Sequence, residues 1–422
     1  MKHGASAMAL AATLLLAGCG GSGGSTTGAT AVATPAPAPA PTPTPTPTVA
    51  TPASVSAVLA LDFANLVDYA PANLPAYYDA TVTALDNTPA ENALNNRIAT
   101  LGRVLFYDRQ LSVNGSISCA SCHRQANSFD DPNRFSTGFS GTAFTSAHAM
   151  RLANIRYWRP GTMFWDRRAA SVEAQASQPI INPIEMGWDS AAGGINALIT
   201  RLQGIAYYQE LFTFAFGSPT VTEARLTQAL AQFQRAMISS SSRWDTAYAT
   251  VFSATAPNRN LNATLAGFSD QENRSRQLFM TGQGGGGAGC SACHVPPTFA
   301  LAANSQSNGL DAGETRVFKS PSLKSVGLSR AFMHDGRFAT LAEVVEFYNS
   351  GVQAGPALDN RLRAPGGGPQ RLNLSAADKA ALVAFMETLT DSNLAADSRF
   401  SSPFRWVIRR LPAGRRPRRA VP

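Results

Sequence analysis

The chain has 422 residues but only 5 Cys and 5 His, so little of it can serve thiol, metal or imidazole chemistry. Lysine is scarcer still: Lys2, Lys319, Lys324 and Lys379 are the whole set, and nearly all basic charge is Arg. Charged residues make up 15% of the chain against 44% apolar, which excludes a wholly disordered polymer. Long strictly alternating patterns are missing, which argues against a β-rich fold. No apolar run reaches the ~20 residues of a membrane-spanning helix. An odd number of Cys rules out a simple framework of paired disulfides. The formal net charge of +8 invites an acidic partner. Arg409, Arg410, Arg415, Arg416, Arg418 and Arg419 crowd the last stretch, however, so the folded body is much closer to neutral. That stretch has no interleaved aromatics, and nucleic acid is not expected as a partner.

What remains is strongly segmented. Lys2 and His3 precede an apolar run from Ala7 to Ala17, the pattern of an export signal. The run ends in Leu16-Ala17-Gly18-Cys19, which resembles the lipobox of bacterial lipoproteins. The resemblance implies lipid on Cys19 and a protein anchored to a membrane, not spanning it. Residues 1–18 are then the signal and 19–54 a Gly/Ser/Pro-rich, disordered tether, since such a composition buries almost nothing. The expected location is the periplasmic side of a bacterial membrane, the outer one. The folded body is expected to be mainly α with long loops, as two domains over 55–255 and 256–405. Residues 406–422 form the basic tail. Helical spacing carries the α reading: Ile98, Leu101, Val104 and Leu105; Leu226, Leu230, Phe233 and Met237; Leu341, Val344, Val345 and Tyr348. Ser375 reads as the cap of a helix running towards Leu382, Phe385 and Leu389.

The four other Cys form two matching motifs, Cys119-Ala120-Ser121-Cys122-His123 and Cys290-Ser291-Ala292-Cys293-His294. C-x-x-C-H is the attachment pattern of c-type haem. On one helical turn both thiols reach the two vinyl groups, and the adjacent imidazole becomes the proximal iron ligand. The competing uses are one zinc held by both pairs, a redox dithiol, and tight structural disulfides. Zinc does not require a His after each pair, and a redox dithiol is expected once, within an α/β pattern. Two covalent haems account for every Cys but the first and make the two expected domains cytochrome c-like, one haem in each.

The motifs have a characteristic company. Leu101-Gly102-Arg103-Val104-Leu105-Phe106-Tyr107-Asp108 precedes the first pair; Phe164-Trp165-Asp166 and Asn182-Pro183-Ile184-Glu185-Met186-Gly187 follow it. Pro321-Ser322-Leu323-Lys324 and His334-Asp335-Gly336-Arg337-Phe338 follow the second. This order resembles the bacterial dihaem cytochrome c peroxidase superfamily, including the MauG-type oxidases. The resemblance implies that the first haem, on His123, reacts with hydrogen peroxide. It makes Glu185 the distal acid/base, Gln175 a distal amide, Pro179 a residue shaping the pocket, and Trp165 the aromatic between the haems. A carboxylate over the iron can move a proton between the oxygens of peroxide, as heterolysis requires. The second haem, on His294, relays electrons from a small c-type cytochrome or cupredoxin.

Two departures matter. The position sixteen residues after His123, where many relatives carry a distal His, is Phe139, which cannot ligate iron. His148 is the nearby alternative ligand, or else a surface or supporting residue. The position of the second haem's sixth ligand, usually Met, is Tyr348, as in MauG-like members; Met333 and Met386 compete with it. A calcium between the domains is typical of the family, but an Asn that helps to hold it is replaced near His148, so calcium stays open. Three functions follow as candidates: a cytochrome c peroxidase, a MauG-like oxidase of aromatic residues in a protein substrate, and a non-catalytic dihaem electron carrier.

Overall fold

The expected periodicities become helices. In a computed structural model that describes residues 50–70 and 74–405, the first is the helix Asn96–Tyr107. Asn95 starts it: its side-chain oxygen accepts from the backbone N–H of Arg97 at 2.9 Å, satisfying a donor that a helix start leaves free. Leu101, Val104, Leu105 and Phe106 on this helix are buried. They pack against the helix Glu223–Arg235, which buries Leu226, Leu230 and Phe233. Each such side chain stabilises the fold by roughly 1.5–3 kcal/mol relative to exposure. The crossing is tight, for a Cβ on Gly102 would lie 1.9 Å from the carbonyl oxygen of Ala229. Only glycine allows that approach.

A second core gathers around the helices Arg243–Val251, Asp270–Met280 and Ala376–Glu387. It buries Trp244, Tyr248, Phe279, Phe299, Leu382 and Phe385. Ser375 caps the last of these helices, its hydroxyl accepting from the Asp378 N–H at 3.1 Å. The chain crosses between the cores more than once. Tyr77, Tyr78, Val82 and Tyr157 belong to the second core, while Leu394 and Phe400 return to the first. Polar bonds fasten that return: Arg103 Nε donates to the Ser401 carbonyl at 2.6 Å and Tyr107 Oη to the Phe400 carbonyl at 2.6 Å.

Strand content among the described residues is a single antiparallel pair, His294–Val295 with Ala300–Leu301. The spacing of Leu341, Val344, Val345 and Tyr348 predicts one continuous helix, but the helix Leu341–Glu346 opens into a π-helical turn over Phe347–Gly351. Such turns recur at functional sites. No helix among the described residues is long and apolar enough to cross a membrane. The signal, Cys19, nearly all of the tether and the basic tail lie outside the described residues.

Candidate functional site

The first motif forms one α-helical turn, Cys119–Cys122. Ser121 Oγ accepts from the Ser118 N–H at 3.0 Å and holds the turn at its start. The i, i+3 spacing puts both thiols on one face. Burial pushes the Cys119 thiol up to about 12 and the Cys122 thiol up to about 11. These are not the low-pKa thiolates of a redox dithiol. His123 follows at the end of the turn, and its Nδ1 lies 3.1 Å from the carbonyl of Phe129. That contact assigns the proton to Nδ1 and leaves Nε2 as the electron-pair donor, the usual bracing of a metal-bound imidazole. Burial lowers the His123 pKa, which keeps the ring neutral and able to ligate.

Glu185 stands on a loop built for it. Asn182 Oδ1 accepts from the N–H groups of Ile184 at 2.8 Å and Glu185 at 3.1 Å, and Asn182 Nδ2 donates to Glu185 Oε1 at 3.1 Å. The short helix Gln178–Ile181, which carries Pro179, anchors the loop from below: Met186 N–H donates to the Pro179 carbonyl at 3.2 Å. Phe139 is tied to the same loop, its N–H donating to the Glu185 carbonyl at 2.9 Å. At Gly187, with φ of +83°, a Cβ would meet the Phe139 ring at 2.6 Å, so only glycine lets the two loops close. Burial raises the Glu185 pKa, and the nearby Arg168 guanidinium offsets this only in part. The Glu185 charge adds to the upward push on both Cys119 and Cys122, so the carboxyl lies within electrostatic range of the first attachment turn. Gln175 is half-buried on the helix Val172–Ala176 and has no side-chain hydrogen bond to Glu185 or Asn182 among the described residues.

The second motif is wound more tightly, as a 3-10 turn over Cys290–Ala292 entered through Gly289 at φ of 72°. Cys290, Cys293 and His294 line a cavity of about 420 Å³. That size falls within the usual range of small-molecule and cofactor pockets. Burial lowers the His294 pKa to about 4, and its Nδ1 is buried with no partner. Tyr348, Met333 and Met386 all face the same cavity, so the three candidate sixth ligands share one space. Asn308 Nδ2 lies 3.5 Å from the Met333 sulfur. Burial and the two thiols push the Tyr348 phenol up, against a hydrogen bond from Asn308.

Between the two motifs lies a buried polar cluster that the residue spacing did not reveal. Asp130, next to the Phe129 that braces His123, takes His148 Nε2 at 3.1 Å and Arg151 Nη1 at 3.5 Å; Ser329 also bonds to it. His148 Nδ1 faces the carbonyls of Asn133 and Arg134, so both ring nitrogens are engaged and the ring serves as support, not as an iron ligand. Trp165 Nε1 donates to the His148 carbonyl at 2.8 Å, and the indole stands edge-on to His334 at 6.5 Å on the cavity of the second motif. A short chain of bonds therefore joins the His123 brace to Trp165. The residues missed from sequence are Asn182, Phe129 and Asp130. Asn182 was visible in the Asn-Pro-x-Glu stretch; the other two act through contacts that no local pattern announces.

The donor sets fit two c-type haems. Each motif offers two unbridged thiols and one neutral imidazole, and the second adds a cavity and an unpartnered ring nitrogen. No group of three or more His, Cys, Asp or Glu side chains converges among the described residues, so the pairs do not build a shared zinc site.

The comparisons with known proteins agree. A family model described as di-haem cytochrome c peroxidase matches residues 96–251. The methylamine utilization protein MauG of Methylorubrum extorquens is 31% identical over 320 residues, 71% of this chain and 80% of that protein. Cytochrome c551 peroxidase of Nitrosomonas europaea is 29% identical over 277 residues, 60% of this chain and 72% of that one. Among solved structures, a MauG-like protein associated with microbial copper homeostasis superposes with a TM-score of 0.59 at 30% identity, covering 75% of this chain and 96% of the other. A mainly helical chain with two haem-attachment motifs and this fold is a dihaem oxidoreductase. The protein belongs to the di-haem cytochrome c peroxidase/MauG family.

Proposed function

We propose that the protein reduces hydrogen peroxide to water at the haem held by Cys119, Cys122 and His123, with electrons from a small c-type cytochrome or cupredoxin. The observation that carries this reading is Glu185: a half-buried carboxyl of raised pKa, braced by Asn182 and within electrostatic range of the first attachment turn. When bound, the haem supplies an iron centre that takes up peroxide and exchanges electrons. Glu185 accepts a proton from the incoming peroxide and returns it to the departing oxygen; Asn182 holds the carboxylate oxygen in place. Balance requires two electrons and two protons for each peroxide converted to two waters. Phe139 takes the loop position beside Glu185 without a ligating atom, which supports reaction from the oxidised state. Trp165, bonded to the His148 carbonyl, lies on the route by which electrons come from the second haem.

The test is turnover of a reduced c-type cytochrome with peroxide by fully haem-loaded protein. Glu185→Gln is expected to lower it ~10²–10⁴-fold. A variant as active as wild type would falsify the assignment.

Tyr348 in the second cavity favours a second reading, a MauG-like oxidase that withdraws electrons from aromatic residues of a protein substrate. Phenolate ligation would disfavour the reduced state and favour oxidised ones. Peroxide added to the oxidised protein without reductant separates the readings: a spectral change that outlasts the peroxide by minutes, with poor cytochrome turnover, supports the oxidase. The export signal and Leu16-Ala17-Gly18-Cys19 support a periplasmic, lipid-tethered location; loss of lipid labelling in Cys19→Ala checks it.

A further inference from the structure

Lys319 is 3% exposed and has no carboxylate partner among the described residues. Its Nζ instead lies 3.6 Å from the sulfur of Met163, 3.7 Å from that of Met150, and 5.7 Å from the centre of the Trp158 ring. Thioethers are weak acceptors, and a cation–π contact returns about 0.5–2 kcal/mol. Neither offsets the several kcal/mol that a buried ion costs. A second cation makes matters worse. Arg167 approaches the same Trp158 ring at 5.4 Å, spends one nitrogen on the Ser305 and Phe318 carbonyls at 3.1 Å each, and leaves Nε buried without a partner. Burial and the Arg167 charge together bring the Lys319 pKa down to about 7.

The location of this imbalance says what relieves it. Lys319 lines the cavity of Cys290, Cys293 and His294. The other cations on that cavity are already provided for: Arg151 by Asp130, Arg361 by Asp359, and Arg363 by the carbonyls of Gly355 and Gly367. Of the cations lining that cavity, Lys319 is the one with no oxygen acceptor among the described residues. The backbone fixes it there, because its N–H donates to the Trp165 carbonyl at 2.7 Å. A haem is an apolar disc carrying two carboxylates, the complement of an apolar cavity with one unbalanced cation on its wall.

We infer that Lys319 binds a propionate carboxylate of the second haem, with Arg167 adding to the positive field behind it. The inference rests on the reading that Cys290, Cys293 and His294 hold a haem. A cation beside the ring stabilises the electron-rich ferrous state, so the site also raises the potential of the second haem relative to the first.

The experiment compares holoprotein of wild type, Lys319→Met and Lys319→Arg. Haem content per chain is measured first; a wild type with one haem, on Cys119 and Cys122 alone, refutes the underlying reading and not the role of Lys319. With both haems present, redox titration is expected to show a lower potential for the second haem in Lys319→Met, little change at the first, and recovery in Lys319→Arg. The propionate bending band in the resonance Raman spectrum of the second haem is expected to shift in the same variants. In wild type it is expected to move between H₂O and D₂O, which keeps the test alive if Lys319→Met does not fold. An unchanged potential and band in Lys319→Met overturn the proposal, as does an equal shift at both haems. A potential that follows added phosphate while the propionate band stays fixed assigns Lys319 to a free anion and also overturns it.

Discussion

His123 and His294 each end a C-x-x-C-H motif, yet their surroundings differ at every step. The first motif is an α-helical turn and the second a 3-10 turn. The first imidazole is held by the Phe129 carbonyl at 3.1 Å; the second has its Nδ1 buried and unpartnered. Beside the first turn stand a carboxyl and its Asn brace; around the second stand a phenol, thioethers and the unpaired Lys319. One setting holds a carboxyl of raised pKa and is ordered by bonds within the protein. The other faces an apolar cavity, where His294 Nδ1 and Lys319 find no oxygen acceptor among the described residues. Equal motifs therefore do not make equal sites, because the groups that touch each imidazole, and not the motif, set its tautomer, acidity and potential.

Haem attachment provides the hardest way to break the comparison. The double variants Cys119→Ala/Cys122→Ala and Cys290→Ala/Cys293→Ala are each expected to remove one covalent haem, read as a mass loss of one cofactor. The second double variant is expected to unfold at lower temperature, since its imidazole has no protein brace. A variant that retains both haems covalently would undo the assignment of that pair.

Next in size is the pH dependence of turnover. Burial raises the Glu185 pKa, and the residue must be ionised to accept a proton. Activity is thus expected to rise with pH through a limb lying above the ordinary Glu range, and Glu185→Gln is expected to remove that limb from kcat/KM. A limb at the ordinary carboxylate position would place Glu185 in solvent.

Asp130→Asn probes the buried polar cluster that lies between the two motifs, next to the residue that braces His123. Removing one partner from a buried charge cluster costs about 3 kcal/mol, seen as a lower denaturation midpoint. Burial alone would lower the His148 pKa, but the hydrogen bond and charge of Asp130 outweigh it and raise the pKa. The stability this supplies is full below the unfolded His pKa near 6.5 and is lost as pH rises through the raised folded value. Wild type is therefore expected to lose thermal stability on the alkaline side of neutral, and the variant to show a flatter profile. Parallel profiles would mean that His148 stays neutral.

The smallest effect is expected from Tyr348→Phe, which removes a single hydroxyl from the second cavity. If that oxygen meets the iron, the low-spin spectrum of the second haem changes while the first stays as it was. Met333 and Met386 face the same cavity, and replacement by either would raise the potential. An unchanged spectrum returns Tyr348 to simple helix-face packing.

Much of this was open to reading before any tertiary structure. The helices Asn96–Tyr107, Glu223–Arg235 and Ala376–Glu387 follow from apolar spacing and, in the last, from the Ser375 cap. The π-helical turn at Tyr348 was not legible, because a periodic apolar pattern is the same whether one turn closes on four residues or five. The exchange of segments between the cores was equally hidden: Tyr77 and Phe400 look like ordinary core aromatics until their partners are known.

Residue order alone established the two haem-attachment motifs, the helical class and the family resemblance, since covalent attachment and helical repeats both act over a few neighbouring residues. Tertiary structure alone decided that Phe129 braces His123 while no described residue braces His294, that Asp130 and His148 link the first site to Trp165, and that Lys319 has no carboxylate partner among the described residues on the second cavity. Those are contacts between residues far apart in the chain. Their energies depend on burial and on which charge lies across the gap, and neither is written in local order.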